Sequence, residues 1–245
     1  MKKYAIEIRP FGTHAILIEW PKRVDETILH DILQFNLYLK THGFQDKNWE
    51  FIPAYNSLTL INRKKPLVFN ELKTQLEHWY QKRTATVLED NYVWRIPVCY
   101  DETFGIDIEE TANTLQLSKE KLIKLHTTNI YTVYGIGFLP GFLYLGGLPK
   151  TLEISRRETP RLKVMKGAVG LAGKQTGIYP QESPGGWNII GNSVVPIFNA
   201  ENTPPCVIKV GDKVQFYQIS KAAYDLKKIE VEVGIYELEK KKMNA

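Results

Sequence analysis

The chain has 245 residues, 43% apolar and 24% charged, enough for one large domain or two of ordinary size around a sizeable core. Its net charge of +5 and pI of 9.0 are carried by scattered basic residues with no nucleic-acid motif, so nucleic acid is not an expected partner. No apolar run approaches the roughly 20 residues of a membrane span, and Cys99 and Cys206 lack metal or disulfide spacing, so the expectation is a metal-free cytoplasmic protein with reduced thiols.

The opening MKKYAIEIRPFG does not read as a signal peptide, because Glu7 and Arg9 interrupt its apolar stretch. Residues 1–85 read as a small α/β unit. YAIEIRPFG and HAILIEW are strand-like and turn at Gly12. In DETILHDILQFNLYLK, Ile28, Ile32, Phe35 and Leu39 recur at helical spacing, with Asp25 as cap and Gly43 as stop. WEFIPAYNSLTLIN reads as a strand region and FNELKTQLEHWYQKR as a second helix capped by Asn70. This alternation suits a ferredoxin-like α/β sandwich. His14, His30 and His78 read as ordinary residues of these elements.

QKRTATVLEDN reads as a linker, and residues 86–245 as a second domain. It opens with the strand VWRIPVCY and the helical patterns DIEETANTLQ and, after the cap Ser118, KEKLIKLH. From Tyr131 onward, glycine and proline recur between short β-rich pieces (YTVYGIGF, WNIIG, VVPIF, VQFYQI), which predicts a β-barrel or sandwich without further helix. The tail ELEKKKMNA reads as a solvated end.

KGAVGLAGKQTGIYP, residues 166–180, looks like a phosphate-binding loop but fails as one. Five residues, not four, separate Gly167 from Gly173, and Gln175 holds the hydroxyl position. Gly177 and Pro180 then oppose the helix that such a loop must open. Glycine also allows tight barrel corners or close approach of a ligand to the backbone.

Gly137-Phe138-Leu139-Pro140-Gly141-Phe142, Pro160-Arg161, Gln175 to Pro180, Ser183-Pro184-Gly185-Gly186-Trp187 and Gly211-Asp212 together resemble the allophanate hydrolase subunit 1 / KipI family, which includes the B subunit of prokaryotic 5-oxoprolinase. The chain departs from the family pattern at Ser155, at Met165 and Ala168, and at Leu143. The resemblance implies an α+β protein, a ferredoxin-like domain followed by a cyclophilin-like β-barrel. It implies one subunit of an ATP-dependent 5-oxoprolinase that opens 5-oxoproline to glutamate, inactive alone. Implied partners are an allophanate hydrolase subunit 2-type protein (PxpC/KipA-like) and a PxpA/LamB-YcsF-like subunit. ATP is used by the complex, with the binding chain left open. A KipI-like inhibitor of a sporulation histidine kinase and an allophanate hydrolase or urea carboxyltransferase-like component stand as alternatives.

No nucleophile–base pair is evident in the glycine clusters, so the expected site is half of a shared one. His126 matches a family histidine and is the candidate proton carrier, with anchoring of its connection the competing role. Arg156, Arg161 and Lys163 are candidate anion ligands, because cationic side chains suit a carboxylate or phosphate. Gln175, Thr176 and Tyr179 are candidate polar contacts. Phe138, Pro140, Phe142, Pro184, Gly185, Gly186 and Trp187 are expected to form a site wall or partner interface.

Overall fold

A computed structural model describes residues 3–44, 46–84 and 92–242. The chain divides into two compact units, 1–90 and 91–245. The expected linker, 81–91, falls mostly outside the described residues.

In the N-terminal unit, β1 (Glu7–Pro10) and β2 (Ala15–Glu19) pair antiparallel around Gly12, which takes a φ of 75°. α1 (Glu26–Tyr38) is capped by Asp25, whose carboxylate accepts the Thr27 N–H at 2.8 Å. A π-helical turn carries it on to Gly43. The predicted single strand region is a hairpin, β3 (Trp49–Ala54) and β4 (Ser57–Asn62), because Tyr55 adopts a φ of 49° and reverses the chain. α2 (Phe69–Lys82) begins after Val68, so Asn70 lies inside its first turn and is not its cap.

The four strands form an antiparallel sheet in the order β1-β2-β4-β3, and the element order is ββαββα. One face of α1 and one of α2 bring Ile28, Ile32, Phe35 and Leu76 against Ile16 and Leu60 of the sheet. His14, His30 and His78 are exposed, as ordinary residues.

A buried ion pair closes this core. Arg83 Nη2 donates to Asp31 Oδ1 at 2.6 Å, while Trp20 Nε1 and the Tyr80 hydroxyl donate to Oδ2 at 2.7 and 2.6 Å. The Arg83 guanidinium also lies 3.4 Å from the centre of the Tyr80 ring. Burial, aided by the neighbouring Asp31 carboxylate, pushes the Tyr80 phenol up to about 12.

The second unit runs through β5 (Tyr92–Cys99), α3 (Ile108–Thr114), α4 (Lys119–Thr128), β6 (Ile130–Ile136) and β7 (Leu143–Gly146). β8 (Arg161–Val164), β9 (Ala168–Ala172), β10 (Gln175–Ile178), β11 (Ser183–Gly185) and β12 (Asn188–Asn192) follow. β13 (Lys213–Ile219), α5 (Lys221–Glu232) and β14 (Lys240–Lys242) end it. Seven strands, in the order β12-β9-β10-β7-β6-β13-β5, close into a barrel where Asn192 pairs with Cys99. Closure removes the open sheet edges, and Ile96, Val133, Leu145, Leu171 and Phe216 fill the interior. β8 and β11 form a separate two-stranded ribbon.

Two expectations fail here, and the tail, mostly exposed as expected, also carries a strand. The stretch 194–198, VVPIF, forms no strand; Val195 and Ile197 are buried, but Pro196 cannot donate to a ladder. A helix does occur beyond Tyr131: α5 follows Ser220, whose hydroxyl accepts the Ala223 N–H at 3.2 Å, through a run free of glycine and proline. Part of the tail is β14, paired with β5, with the Lys240 ammonium 4.5 Å from the Tyr92 ring centre.

Asp31→Ala removes the only carboxylate among the described residues that pairs with buried Arg83. The expected cost is about 3–5 kcal/mol, because the guanidinium is left buried and uncompensated. Denaturant unfolding followed by Trp20 fluorescence checks this, and a change under 1 kcal/mol contradicts it.

Candidate functional site

The phosphate-loop look-alike is the β9–β10 hairpin. Ala172 pairs with Gln175, and Gly173 takes a φ of 58° at the first turn position, as in a type II′ turn. The glycines of the neighbouring segments let backbone pass close to bulky rings. A Cβ on Gly185 would collide with the Tyr179 hydroxyl.

Around these segments lies a cleft of about 280 Å³, walled by Phe138, Phe142, Tyr144, Tyr179 and Trp187 with Arg156 on its rim. Pro160, Pro184, Gly185 and Gly186 complete its lining. Phe142 is the centre of the wall, edge-on to Tyr179 at 5.2 Å and to Trp187 at 5.4 Å between ring centres. Trp187 is only 4% exposed, so it is a wall of the cleft and does not project as a partner anchor. Pro140 is exposed and lies outside the lining. Burial raises the Tyr179 phenol above its ordinary value, against a backbone hydrogen bond at Trp187 and the charge of Arg156. The hydroxyl therefore keeps its proton at neutral pH.

The basic candidates have separate fates. Arg156 is exposed and makes no ion pair among the described residues. Arg161 is partly engaged: its Nη2 donates to Asp107 Oδ1, while its Nη1 is buried with no partner among the described residues. Arg157 Nη1 donates to the same oxygen at 3.1 Å and to Glu110 Oε2 at 2.8 Å. Asp107 Oδ2 accepts the Ile189 N–H at 2.7 Å, and the Asp107 N–H donates to the Ile189 carbonyl at 2.9 Å. Lys163 pairs with Glu182 at 2.9 Å on the surface, away from the cleft lining. Sequence reasoning missed Asp107, whose only local signal was its place at the start of a short helical pattern. A second, more open cleft of about 490 Å³ lies beyond Arg156, between residues 154–159 and the α3 residues Glu110 and Thr114.

His126 and Thr176 lie within the barrel and line neither cleft. The Thr176 hydroxyl donates to the Gly170 carbonyl at 3.0 Å, so it accepts from His126 Nε2–H at 2.9 Å. His126 Nδ1 then accepts from the Tyr100 hydroxyl at 2.6 Å. This run of bonds assigns the neutral Nε2–H tautomer. Burial lowers the imidazole to about 3, and the ring stacks on Phe216 at 4.5 Å. The geometry gives His126 and Thr176 an internal bridging role, in place of the expected proton transfer and substrate contact. Gln175, part-buried on β10, is outside both cleft linings.

The family profile for the carboxyltransferase domain, subdomain C and D, matches residues 6–208. The B subunit of 5-oxoprolinase from Bacillus subtilis is 35% identical over 228 residues, covering 89% of this chain and 95% of that protein. Among solved structures, TTHA0988 superposes with a TM-score of 0.73 at 32% identity, over 87% of this chain. This chain spans only 41% of that longer protein. The Kluyveromyces lactis urea amidolyase has a TM-score of 0.81 over 98% of this chain and 16% of its own, but at 15% identity the likeness is one of fold alone.

Two outcomes test this geometry. Asp107→Asn is expected to destabilise the barrel unit by about 2–4 kcal/mol, since it removes the charge that faces Arg157 and Arg161. Parent-like unfolding of this variant refutes the anchoring role. His126 sets a pH dependence. In the unfolded chain it takes up a proton below about 6.5, but in the folded chain only near 3. Its contribution is therefore full above 6.5 and is lost as pH falls towards 3, by about 1 kcal/mol per pH unit. His126→Gln should show a shallower stability loss between pH 6.5 and 4.5 than the parent; parallel curves contradict the assignment.

Proposed function

The chain belongs to the carboxyltransferase-domain family, subdomain C and D, together with the 5-oxoprolinase B subunits, and on that premise we propose that it is one subunit of an ATP-dependent 5-oxoprolinase. The observation that carries the reading is the 35% identity to the Bacillus subtilis protein across 95% of its length. We read the N-terminal unit as a ferredoxin-like sandwich in permuted element order, and the barrel as cyclophilin-like.

The chemistry of the cleft supports the same reading. 5-Oxoproline is a small five-membered lactam with a carboxylate. Aromatic faces suit the ring, and the rim guanidinium of Arg156, with no ion pair among the described residues, suits the carboxylate. The Tyr179 hydroxyl, protonated because it is buried, is a donor for a lactam oxygen. Opening the lactam to glutamate also needs an activated oxygen nucleophile and a proton for the departing nitrogen. No nucleophile–base pair lines this cleft, so the chain supplies binding groups and the partner subunits supply the rest.

The two clefts described offer few free cations for a polyphosphate. The aromatic cleft, about 280 Å³, is small for a nucleotide. The larger cleft is lined by the carboxylates Glu110 and Glu158, and its Arg157 is already held by Asp107 and Glu110. This favours ATP use by other subunits of a cytoplasmic complex, for which the proposed partners are an allophanate hydrolase subunit 2-type protein and a LamB-YcsF-like protein.

The purified chain is expected to show no 5-oxoproline turnover, and the chain reconstituted with both partners to show 5-oxoproline-dependent ATP hydrolysis. Turnover by the chain alone refutes the shared site. In the complex, Arg156→Ala should raise the KM for 5-oxoproline about tenfold or more, the loss of one charge-assisted hydrogen bond. An unchanged KM removes Arg156 from the site.

A further inference from the structure

The turn between β6 and β7 is built against local preference. Phe138 takes a φ of 67°, a conformation that costs a bulky side chain free energy and costs glycine little. The Leu139 N–H donates to the Gly137 carbonyl at 2.8 Å, closing a three-residue turn with Phe138 at its centre. With positive φ this is the rare, strained form of the γ-turn. The next residues relieve nothing. The Phe142 N–H donates to the Leu139 carbonyl at 3.0 Å and the Gly137 N–H to the Phe142 carbonyl at 3.2 Å, fixing both ends of the loop. Gly141, at a φ of 83°, fits where a Cβ would meet Phe198 at 2.5 Å.

This rigid double turn projects a large ring that packing does not require. Phe138 is 66% exposed, yet it lines the cleft and stands edge-on to Phe142 at 5.8 Å. Backbone strain and an exposed aromatic face are both unfavourable in the free chain. Both are offset when a ligand covers the ring.

We infer that Phe138 is a specificity-determining cap of the aromatic cleft, placed by the strained turn to cover the apolar face of a small cyclic amide whose carboxylate meets Arg156. The inference deepens the 5-oxoprolinase reading and rests on it for the identity of the ligand. A small cleft bounded by Phe142, Tyr179 and Trp187 leaves one side open, and Phe138 is the wall residue standing most exposed there. Closing that side removes water from the ring face and favours a flat ring over an extended amide.

The test uses the reconstituted complex with Phe138→Gly and Phe138→Tyr, and the isolated chain for stability. Phe138→Gly should melt at or above the parent, because glycine takes positive φ without strain. It should also raise the KM for 5-oxoproline roughly fivefold or more, with a smaller change in kcat. Phe138→Tyr should restore the parent KM. A lowered melting temperature for Phe138→Gly makes the ring ordinary packing and overturns the cap. So does an unchanged KM, or a complex that no longer assembles in sedimentation, which makes Phe138 a contact between subunits.

A parent complex without 5-oxoproline turnover would instead overturn the functional reading. The cap is then judged in the isolated chain by acrylamide quenching of Trp187, taken as the difference from Trp187→Phe. Increased quenching in Phe138→Gly supports the cap, and unchanged quenching overturns it.

Discussion

The candidate site depends on one carboxylate. Asp107 holds the start of β12 from both sides, its N–H on the Ile189 carbonyl and its Oδ2 on the Ile189 N–H. Its other oxygen gathers Arg157 and Arg161 from the segment opposite. Two residues before Ile189 stands Trp187, a cleft wall. Beside the two arginines stand Arg156 and Pro160, its rim. A buried carboxylate is costly unless its lone pairs are filled, so these bonds come as a set. Wall and rim are thereby fixed to each other through a residue that lies outside the cleft lining.

Two further contacts reinforce the rim. The Arg157 N–H donates to the Gly186 carbonyl at 2.8 Å, and the Asn188 side chain donates to the Ser155 carbonyl at 2.9 Å. With 157 and 161 turned to Asp107, Arg156 is left unpaired between the two clefts, lining both. One cation is thus available for an anion while its neighbours are neutralised in ion pairs.

Polar residues of the second unit are divided between the barrel interior and the cleft. Tyr100, His126 and Thr176 form a closed run of hydrogen bonds ending on the Gly170 carbonyl. Every ring nitrogen is used, which is how a buried imidazole stays satisfied and neutral. Tyr179 lies just beyond Ile178 on the same segment as Thr176, yet it reaches the cleft, because successive side chains alternate across the wall while its N–H still donates to the Ala168 carbonyl of β9 at 2.9 Å. The two sets look alike in sequence and differ only in which side of the barrel wall they face.

The sequence by itself determined the two-part division, the capped helices after Asp25 and Ser118, the β-rich glycine segments and the family. Each of these rests on local periodicity, turn chemistry or residue patterns that survive in one dimension. Phe138, Phe142 and the Pro184–Trp187 run, expected as a wall or an interface, do line one cleft, together with Tyr179, expected as a polar contact. Only the tertiary structure decided which cations are free. Arg161 and Arg156 are equivalent on paper, but Asp107, some fifty residues earlier, binds one nitrogen of Arg161 and leaves Arg156 unpaired among the described residues. The same holds for His126 and Thr176, whose mutual hydrogen bond joins α4 to β10 across 50 residues of chain. Even α5 and the turn at Tyr55 escaped a reading led by β-rich composition and unbroken apolar runs. Burial and charge pairing are set by residues distant in the chain, so no local pattern could assign them.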